Sequence, residues 1–229
     1  MTCRDNTAWL RERAFQEGAA LFGVTAFGPF RGRTVLSDAE SSGLDWAVSL
    51  AVALSPQVLE GCVDGPTLLY KWHYRQANNL LDKIAFRLSQ TVLERCFRAL
   101  PIPASQIVDW NAQTAHLSHR AVAERAGLGW RGRNNLIVNE RFGAGLRLAT
   151  VLTDLPLESV ESPPEFGCGS CRACVVLCPA QALGETPAHY RLDFCLDQLV
   201  RFSKERALGV SICGVCVRAC SNRVGAQGK

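Results

Sequence analysis

Hydrophobic residues follow two different patterns along the first part of the chain: helical spacing and short continuous runs. Apolar residues recur at helical spacing up to Gly18, and Asn6 or Thr7 precedes them as the predicted N-cap. Two nearly continuous apolar segments, residues 21–27 and 46–54, have the length of buried strands and are followed by Gly or Pro. The pattern therefore predicts one helix and then two strands.

The longest helical pattern covers residues 67–100. We predict that this helix ends at Pro101, since proline cannot continue an α-helix. Six apolar side chains share the predicted buried face: Leu69, Trp72, Leu80, Ile84, Leu88 and Val92.

Helix and strand patterns alternate again further along the chain. A helix is predicted from Ser118 to Ala126 with Gly127 as its C-terminal stop, followed by strands at residues 135–139 and 146–153. This succession of elements indicates an α/β or α+β domain, and for the whole chain we predict the α+β class with an N-terminal α/β domain.

The composition changes near residue 160. A proline-rich stretch from Leu155 to Glu165 separates the alternating elements from a region that contains eight of the eleven cysteines. We expect two domains, residues 1–160 with helices and strands, and residues 161–229 as a cysteine-rich module.

The first cysteine run has the spacing C-x2-C-x2-C-x3-C-P and consists of Cys168, Cys171, Cys174 and Cys178, followed by Pro179. In two-cluster ferredoxins three such thiolates hold one [4Fe–4S] cluster, while the fourth ligates the other cluster. We expect Cys178 to start a helix, with Pro179 in its first turn.

The second run contains Cys213, Cys216 and Cys220 and lacks one ligand, which the isolated Cys195 can supply. The ferredoxin pattern then predicts two crossed sets of ligands. Cluster 1 would be held by Cys168, Cys171, Cys174 and Cys220, and cluster 2 by Cys178, Cys195, Cys213 and Cys216.

Structural zinc or unligated thiols are the alternatives for these cysteines. Zinc sites usually pair two C-x2-C sequences across a longer loop and often include histidine, whereas neither run here contains a histidine. The spacing therefore favours iron–sulfur clusters. Cys3, Cys62 and Cys96 lack ligand spacing and are predicted to be free thiols.

The formal net charge of +4 taken alone favours an acidic partner. Eight thiolates around two cluster cores of about +2 each would subtract roughly 4 charges, so the loaded protein would be nearly neutral. The N-terminus has no apolar leader, and no segment reaches the ~18 apolar residues of a membrane span. We expect a cytoplasmic protein with reduced thiols and no membrane partner.

A glycine-dense segment, residues 127–135, lies between the predicted helix and strand. Glycines there would allow the backbone to approach a flat ligand, although such segments are more often simple turns. It does not have the G-x-G-x-x-G pattern after a strand, so it is not a dinucleotide fingerprint.

Three motifs together resemble the epoxyqueuosine reductase family. They are R-A-G-L-G-W-R-G-R-N at residues 125–134, T-V-L-T-D-L-P-L at residues 150–157 and the split eight-cysteine pattern, including Cys195. The likeness in order and spacing covers roughly residues 65–223.

The resemblance implies a cobalamin-dependent iron–sulfur oxidoreductase. It implies a nitroreductase-like, corrinoid-binding domain followed by a bacterial-type ferredoxin module, with a flavodoxin or ferredoxin as external electron donor. The family reduces the epoxide of epoxyqueuosine in tRNA. The resemblance places cobalamin contacts at Gly129, Trp130, Arg133 and Asn134.

The chain departs from the family at the proton donor. Counting back from Arg125 without gaps places Gln113 where the family has an aspartate, and an amide cannot act as an acid. Asp109 or His116 would have to replace it, and a histidine is by its chemistry the better proton donor at neutral pH.

Two further departures argue against tRNA as the substrate. The chain ends at Lys229, nine residues after Cys220, where full-length members continue into a tRNA-binding helical domain. The family's tyrosine–histidine pair is also reversed here, as His73-Tyr74. We expect a reductase whose substrate is unknown, with tRNA in doubt. The alternatives are an electron-transfer or reductive-activation protein, and a sensor of oxygen or iron.

Overall fold

The computed structural model describes residues 2–110, 112–159 and 164–226. The chain forms two compact units, each built from three separate segments. The first unit contains Met1–Val52, Asn78–Leu128 and Arg147–Pro164, and the second contains Ala53–Ala77, Gly129–Leu146 and Glu165–Lys229. The predicted domain boundary after residue 160 lies outside the described residues and stays a prediction.

The described residues form both helices and strands, which confirms the predicted mixture of the two. The helices are α1 (Cys3–Gln16), α2 (Asp38–Ser41), α3 (Pro56–Glu60), α4 (Leu68–Leu93), α5 (His119–Arg125), α6 (Ala173–Leu177), α7 (Leu192–Glu205) and α8 (Val215–Ala226). The strands are β1 (Leu21–Ala26), β2 (Trp46–Ala53), β3 (Ala99–Ile102), β4 (Trp130–Arg131), β5 (Ile137–Val138) and β6 (Leu146–Thr153). No helix in the described ranges has both the length and the apolar character needed to cross a membrane.

A four-stranded sheet with the order β1-β2-β6-β3 lies at the centre of the first unit. β1 pairs antiparallel with β2, and β3 pairs antiparallel with β6. Gly23 in β1 allows close contact with α5, because a Cβ atom there would lie 2.1 Å from the Ala126 carbonyl oxygen. One core cluster of this unit consists of Phe27, Phe30, Leu44, Ala47, Ile102, Leu117, Val122 and Leu152.

The N-cap of α1 is Thr2, so the prediction of Asn6 or Thr7 was wrong. Thr2 and Asp5 form a reciprocal capping box, in which each side chain accepts the other's backbone N–H. Asn6 instead donates to the Pro156 carbonyl, and the Thr7 hydroxyl accepts the Glu158 N–H. These two polar side chains are buried because they tie the helix to the chain segment after β6.

The long helix α4 ends at Leu93 rather than at residue 100. Cys96 follows in a left-handed conformation, with φ of 61°. Pro101 lies within β3, at the edge of the sheet, where a strand tolerates a residue without an N–H. Of the six side chains predicted to be buried, Ile84, Leu88 and Val92 are buried, whereas Leu69 and Trp72 are exposed.

From Gly129 onward, the glycine-dense segment forms a hairpin in the second unit. Trp130 and Arg131 of β4 pair with Val138 and Ile137 of β5. Gly129 has a φ of 157°, and a Cβ atom there would lie 2.1 Å from the Val138 carbonyl oxygen. Close backbone packing inside the hairpin therefore requires this glycine.

Cys178 does not start a helix, contrary to the prediction. The short helix α6 contains Cys174 and ends at Leu177, so that Cys178 is its C-terminal cap residue. Pro179 follows the helix instead of opening one, as is common just after a C-terminus.

Candidate functional site

The first cysteine run forms a tight loop that leads into α6. The Cys171 N–H donates to the Cys168 carbonyl at 2.9 Å, which closes the loop between the first two thiols. Cys174 lies in α6 and is buried. Burial raises the pKa of the Cys174 thiol to about 11, and the nearby Cys168 and Cys171 act in the same direction.

Cys220, from the second run, joins the thiols of the first run. It lies on α8, which packs against α6. Burial raises the pKa of Cys220 to about 12, and the charges of Cys174, Cys168 and Cys171 raise it as well. The three thiols of the first run and the distant Cys220 are thus close enough to interact electrostatically.

A second group contains Cys178, Cys195, Cys213 and Cys216. Burial raises the pKa of Cys213 to about 12, with contributions from Cys195 and Cys178. The pKa of Cys216 is raised well above its ordinary value by burial and by Cys213 and Cys195. Cys216 also interacts with Cys174 of the first group, so the two groups are neighbours.

Both groups have the donor chemistry of iron–sulfur clusters. All eleven cysteines lie in the described ranges and are free of disulfides. Among the residues described, no three or more Cys, His, Asp or Glu side chains have an arrangement suited to a single metal ion. A cubane brings its own irons and sulfides, so its ligand thiols stand further apart than those of one zinc ion. The crossed ligand sets stay a prediction, which this grouping supports.

The β4–β5 hairpin packs directly on the first cysteine loop. The indole Nε1–H of Trp130 donates to the Cys168 Sγ at 3.4 Å. The Arg133 guanidinium, only 8% exposed, donates to the carbonyl oxygens of Cys171 at 3.0 Å and Gly169 at 2.8 Å. Two side chains that are 36 to 38 residues away in sequence therefore fix the loop geometry.

The turn of the hairpin is tightly packed near Cys168, since a Cβ atom on Gly132 would lie 2.5 Å from Val138 Cγ2. A Cβ atom on Gly132 would lie 3.0 Å from Asn134 Oδ1 and 3.6 Å from Cys168 Sγ. Asn134 is 4% exposed, and its Nδ2 has no hydrogen-bond partner in the part of the chain that is described. A buried amide donor without a partner is rare, so the Asn134 Nδ2 is a candidate contact for a bound group.

The four residues predicted to contact cobalamin are thus engaged within the second unit. Gly129 packs against Val138, Trp130 and Arg133 contact the cysteine loop, and Asn134 Oδ1 accepts the Leu136 N–H at 3.2 Å. These contacts suit support of a cluster, and a corrinoid role for the four stays a prediction.

Sequence reasoning missed Tyr190 as a residue of the cysteine site. Its side chain hydrogen-bonds Cys195 and lowers the pKa of that thiol, although burial raises it more. The five-residue separation from an isolated ligand is the one sequence signal that pointed to it.

The predicted acid candidates lie on a tight loop of the first unit. Residues Asp109 and Thr114 form an antiparallel bridge, and the Asp109 carboxylate accepts the Ala112 N–H at 3.0 Å. Gln113 has a φ of 53°, and its Nε2 donates to the Trp110 carbonyl at 2.5 Å. The Gln113 amide therefore stabilises the loop, and the catalytic role predicted for this region is untested.

His116 is held through its backbone. Its carbonyl oxygen accepts the Thr34 hydroxyl at 2.6 Å and the Val35 N–H at 3.2 Å. The side chain is half-buried. Its predicted role as proton donor stays a prediction.

Comparison with known proteins shows sequence similarity to epoxyqueuosine reductases, which confirms the predicted resemblance. The epoxyqueuosine reductase of Salmonella typhimurium strain LT2 is 46% identical over 123 residues, which cover 52% of this chain and 30% of that protein. The matches span less than a third of the length of the curated relatives. No protein-family model matches the chain.

Solved structures share the fold. A reductive dehalogenase, described in connection with B12-dependent dehalogenation, superimposes with a TM-score of 0.75 at 21% identity, over 95% of this chain and 32% of that one. An epoxyqueuosine reductase bound to an epoxyqueuosine-modified tRNA-Tyr stem loop gives a TM-score of 0.62 at 20% identity, over 93% of this chain and 64% of that one.

Proposed function

We propose that this protein is an iron–sulfur oxidoreductase related to epoxyqueuosine reductases, which holds two [4Fe–4S] clusters and passes electrons to a bound cobalamin that reduces a substrate. Cluster 1 is assigned to Cys168, Cys171, Cys174 and Cys220, and cluster 2 to Cys178, Cys195, Cys213 and Cys216. The substrate class stays open.

One observation carries the assignment of the clusters: Cys220 lies with the three thiols that open the first run. A chain that bound one zinc ion per cysteine run would keep Cys220 with Cys213 and Cys216. The interleaving of the two runs is the arrangement in which each run donates one ligand to the other's cluster.

Each [4Fe–4S] cluster, when bound, accepts and releases one electron. The chain's own residues ligate the iron, exclude water and supply hydrogen bonds. Cys174 is buried, and Cys213, Cys216 and Cys220 are partly buried, which shields a cluster from solvent. Because burial raises their pKa values, iron binding must displace protons from these thiols.

A cobalamin is proposed from the fold shared with a B12-dependent dehalogenase and from the similarity to epoxyqueuosine reductases. When bound, it would supply the cobalt centre that reduces the substrate. An external flavodoxin- or ferredoxin-type protein would deliver the electrons. The structurally similar reductase was solved with an epoxyqueuosine-modified tRNA-Tyr stem loop, so such a tRNA is one candidate substrate to be tested here.

A second candidate is an electron-transfer or reductive-activation protein without turnover of its own. The engagement of Gln113 with the Trp110 carbonyl favours it, because the residue at the predicted acid position is an amide committed to its loop. This candidate keeps both clusters but needs no proton donor.

Anaerobic reconstitution with iron and sulfide tests the proposal. We expect roughly eight irons and eight sulfides per chain, a brown colour and EPR signals of two interacting clusters after reduction. Addition of cobalamin should then give stoichiometric binding, seen in the visible and EPR spectra. A colourless protein, or one that contains zinc, contradicts the cluster assignment, and failure to bind cobalamin leaves the electron-transfer candidate.

A further inference from the structure

The hairpin residue Trp130 donates a hydrogen bond to a predicted cluster ligand. Its Nε1–H lies 3.4 Å from Cys168 Sγ. The indole is fixed from two sides, because β4 pairs with β5 and because Gly167 lies against the ring. A Cβ atom on Gly167 would be 2.9 Å from the ring carbons, so the chain needs glycine where it passes the indole.

Arg133 brings a buried positive charge to the same loop. Its guanidinium contacts the Gly169 and Cys171 carbonyls and lies 5.2 Å from the centre of the Phe166 ring. Glu185 lies 3.8 Å from Arg133 Nε but 2.6 Å from Arg172, so this carboxylate is shared between two cations. The three side chains together keep a net positive charge beside the loop.

We infer that Trp130 and Arg133 raise the reduction potential of cluster 1, and thereby act as positioning residues that set the order in which the clusters fill with electrons. The inference rests on the proposed function, since it requires cluster 1 to be bound. It assigns to Trp130 and Arg133 a role that does not involve contact with a corrinoid.

The charge balance gives the direction of the effect. One electron, from an external donor or from dithionite, changes the charge of the cluster with its four thiolates from −2 to −3, and no bond breaks and no proton moves. An N–H donor and a nearby cation stabilise the more negative state more than the less negative one. The potential of cluster 1 is therefore higher than it would be without them.

Cluster 2 has its own hydrogen bonds, which supply an internal control. Cys178 Sγ accepts the Ala182 N–H at 3.4 Å, and the Tyr190 side chain forms a hydrogen bond with Cys195. Removal of the Trp130 donor should therefore change the potential of one cluster, while removal of the Tyr190 hydroxyl should change the other.

An EPR-monitored redox titration of the reconstituted full chain tests the inference. Trp130→Phe keeps an aromatic ring but removes the N–H; we expect the one-electron equilibrium constant of cluster 1 to fall about tenfold, or about 59 mV, with cluster 2 unchanged. Arg133→Met should lower the same potential, and Arg133→Lys, which keeps the charge, should lower it less. Tyr190→Phe is the matched control and should shift only cluster 2.

The outcomes separate this inference from the proposed function. Full iron loading with unchanged potentials in Trp130→Phe and Arg133→Met overturns the inference alone, whereas a wild-type chain that takes up no iron overturns both. If the Trp130→Phe variant does not bind cluster 1, the hydrogen bond is tested instead in wild-type protein labelled with ¹⁵N in its tryptophan indoles. Pulsed EPR should then detect ¹⁵N coupling to a reduced cluster, and its absence overturns the inference.

Discussion

His119 Nδ1 lies 2.8 Å from the Thr150 hydroxyl, which connects the start of α5 to the middle of β6. The other ring nitrogen, Nε2, lies 2.8 Å from the Pro103 carbonyl oxygen. Because a carbonyl only accepts, Nε2 carries the proton and Nδ1 accepts from Thr150. The neutral imidazole therefore satisfies both partners, and Thr150 of the T-V-L-T-D-L-P-L motif has a structural role.

This pair predicts a pH dependence of stability. Burial lowers the pKa of His119 below its usual value of 6.5. Above pH 6.5 the His119 imidazole is neutral in both the folded and the unfolded chain. Just below pH 6.5 the unfolded chain binds a proton at His119, whereas the folded chain does not. Stability should therefore fall as the pH drops below about 6.5, until the lowered folded-state pKa is reached. Thermal unfolding between pH 5 and 8 measures this fall.

The variant His119→Gln isolates the contribution, because the other titrating groups remain in both proteins. We expect its melting temperature to depend less on pH over the same range. An identical slope in the two proteins would mean that His119 titrates equally in the folded and unfolded states.

The crossed ligand sets predict a specific pattern of iron loss. Cys220→Ala and Cys178→Ala should each remove one cluster and leave roughly four irons per chain, although each cysteine belongs by sequence to the other run. Adding Cys171→Ala should remove no more iron from Cys220→Ala but should empty Cys178→Ala. Iron and sulfide analysis with EPR measures both.

Cys3→Ala is the control for this series, since Cys3 is exposed and lies outside both groups. It should retain all of the iron. If instead the Cys171 and Cys178 substitutions affect the same cluster, the two runs bind separately and the crossed assignment is wrong.

Gly129 predicts a large stability effect in the hairpin. Gly129→Ala would place a methyl group 2.1 Å from the Val138 carbonyl oxygen in a backbone conformation that alanine rarely adopts. We expect a loss of about 1–3 kcal/mol or more, measured by urea denaturation, since strained backbone costs this much per residue. The turn that carries Trp130 should shift with it.

Gly61→Ala is the matched substitution in the same unit. A Cβ atom there would be 3.4 Å from its nearest neighbour, Thr67 Cγ2, and the φ of −68° suits any residue. Its stability should stay within about 0.5 kcal/mol of wild type. An equally small loss in Gly129→Ala would show that the hairpin can relax around the added carbon.

The sequence predicted those features that depend on local spacing. The helix that Ser118 caps and the strand around residues 146–153 follow from periodicity, and the cysteine runs follow from ligand spacing. The N-cap at Thr2 could also have been predicted from the sequence, because Thr2 and Asp5 have the spacing of a capping box with aspartate as the acid.

Features that depend on distant partners could not be predicted. Pro101 belongs to a strand only because β6 pairs with it at the edge of the sheet. The contact of Trp130 with Cys168 joins residues 38 apart, and no periodicity connects them. Spacing alone left the glycine-dense segment open as a ligand-binding segment or a simple turn, and its described contacts are with its own hairpin and the cysteine loop.

Asp109 and His116 are the two candidates for the proton donor. Asp109→Asn keeps an oxygen that can accept the Ala112 N–H, so the loop should remain folded. If Asp109 is the acid of a corrinoid-dependent reduction, loss of its proton should lower turnover of the substrate about 10²–10⁴-fold. His116→Gln makes the same test for the imidazole, because the hydrogen bonds that hold residue 116 go to its backbone carbonyl.

Single-turnover oxidation of reduced, cobalamin-loaded protein by candidate substrates, including an epoxyqueuosine-modified tRNA stem loop, measures the rates. If neither substitution slows a turnover that wild type performs, both residues are excluded as the acid; if wild type oxidises with none of these substrates yet reduces a partner protein, the electron-transfer role is favoured.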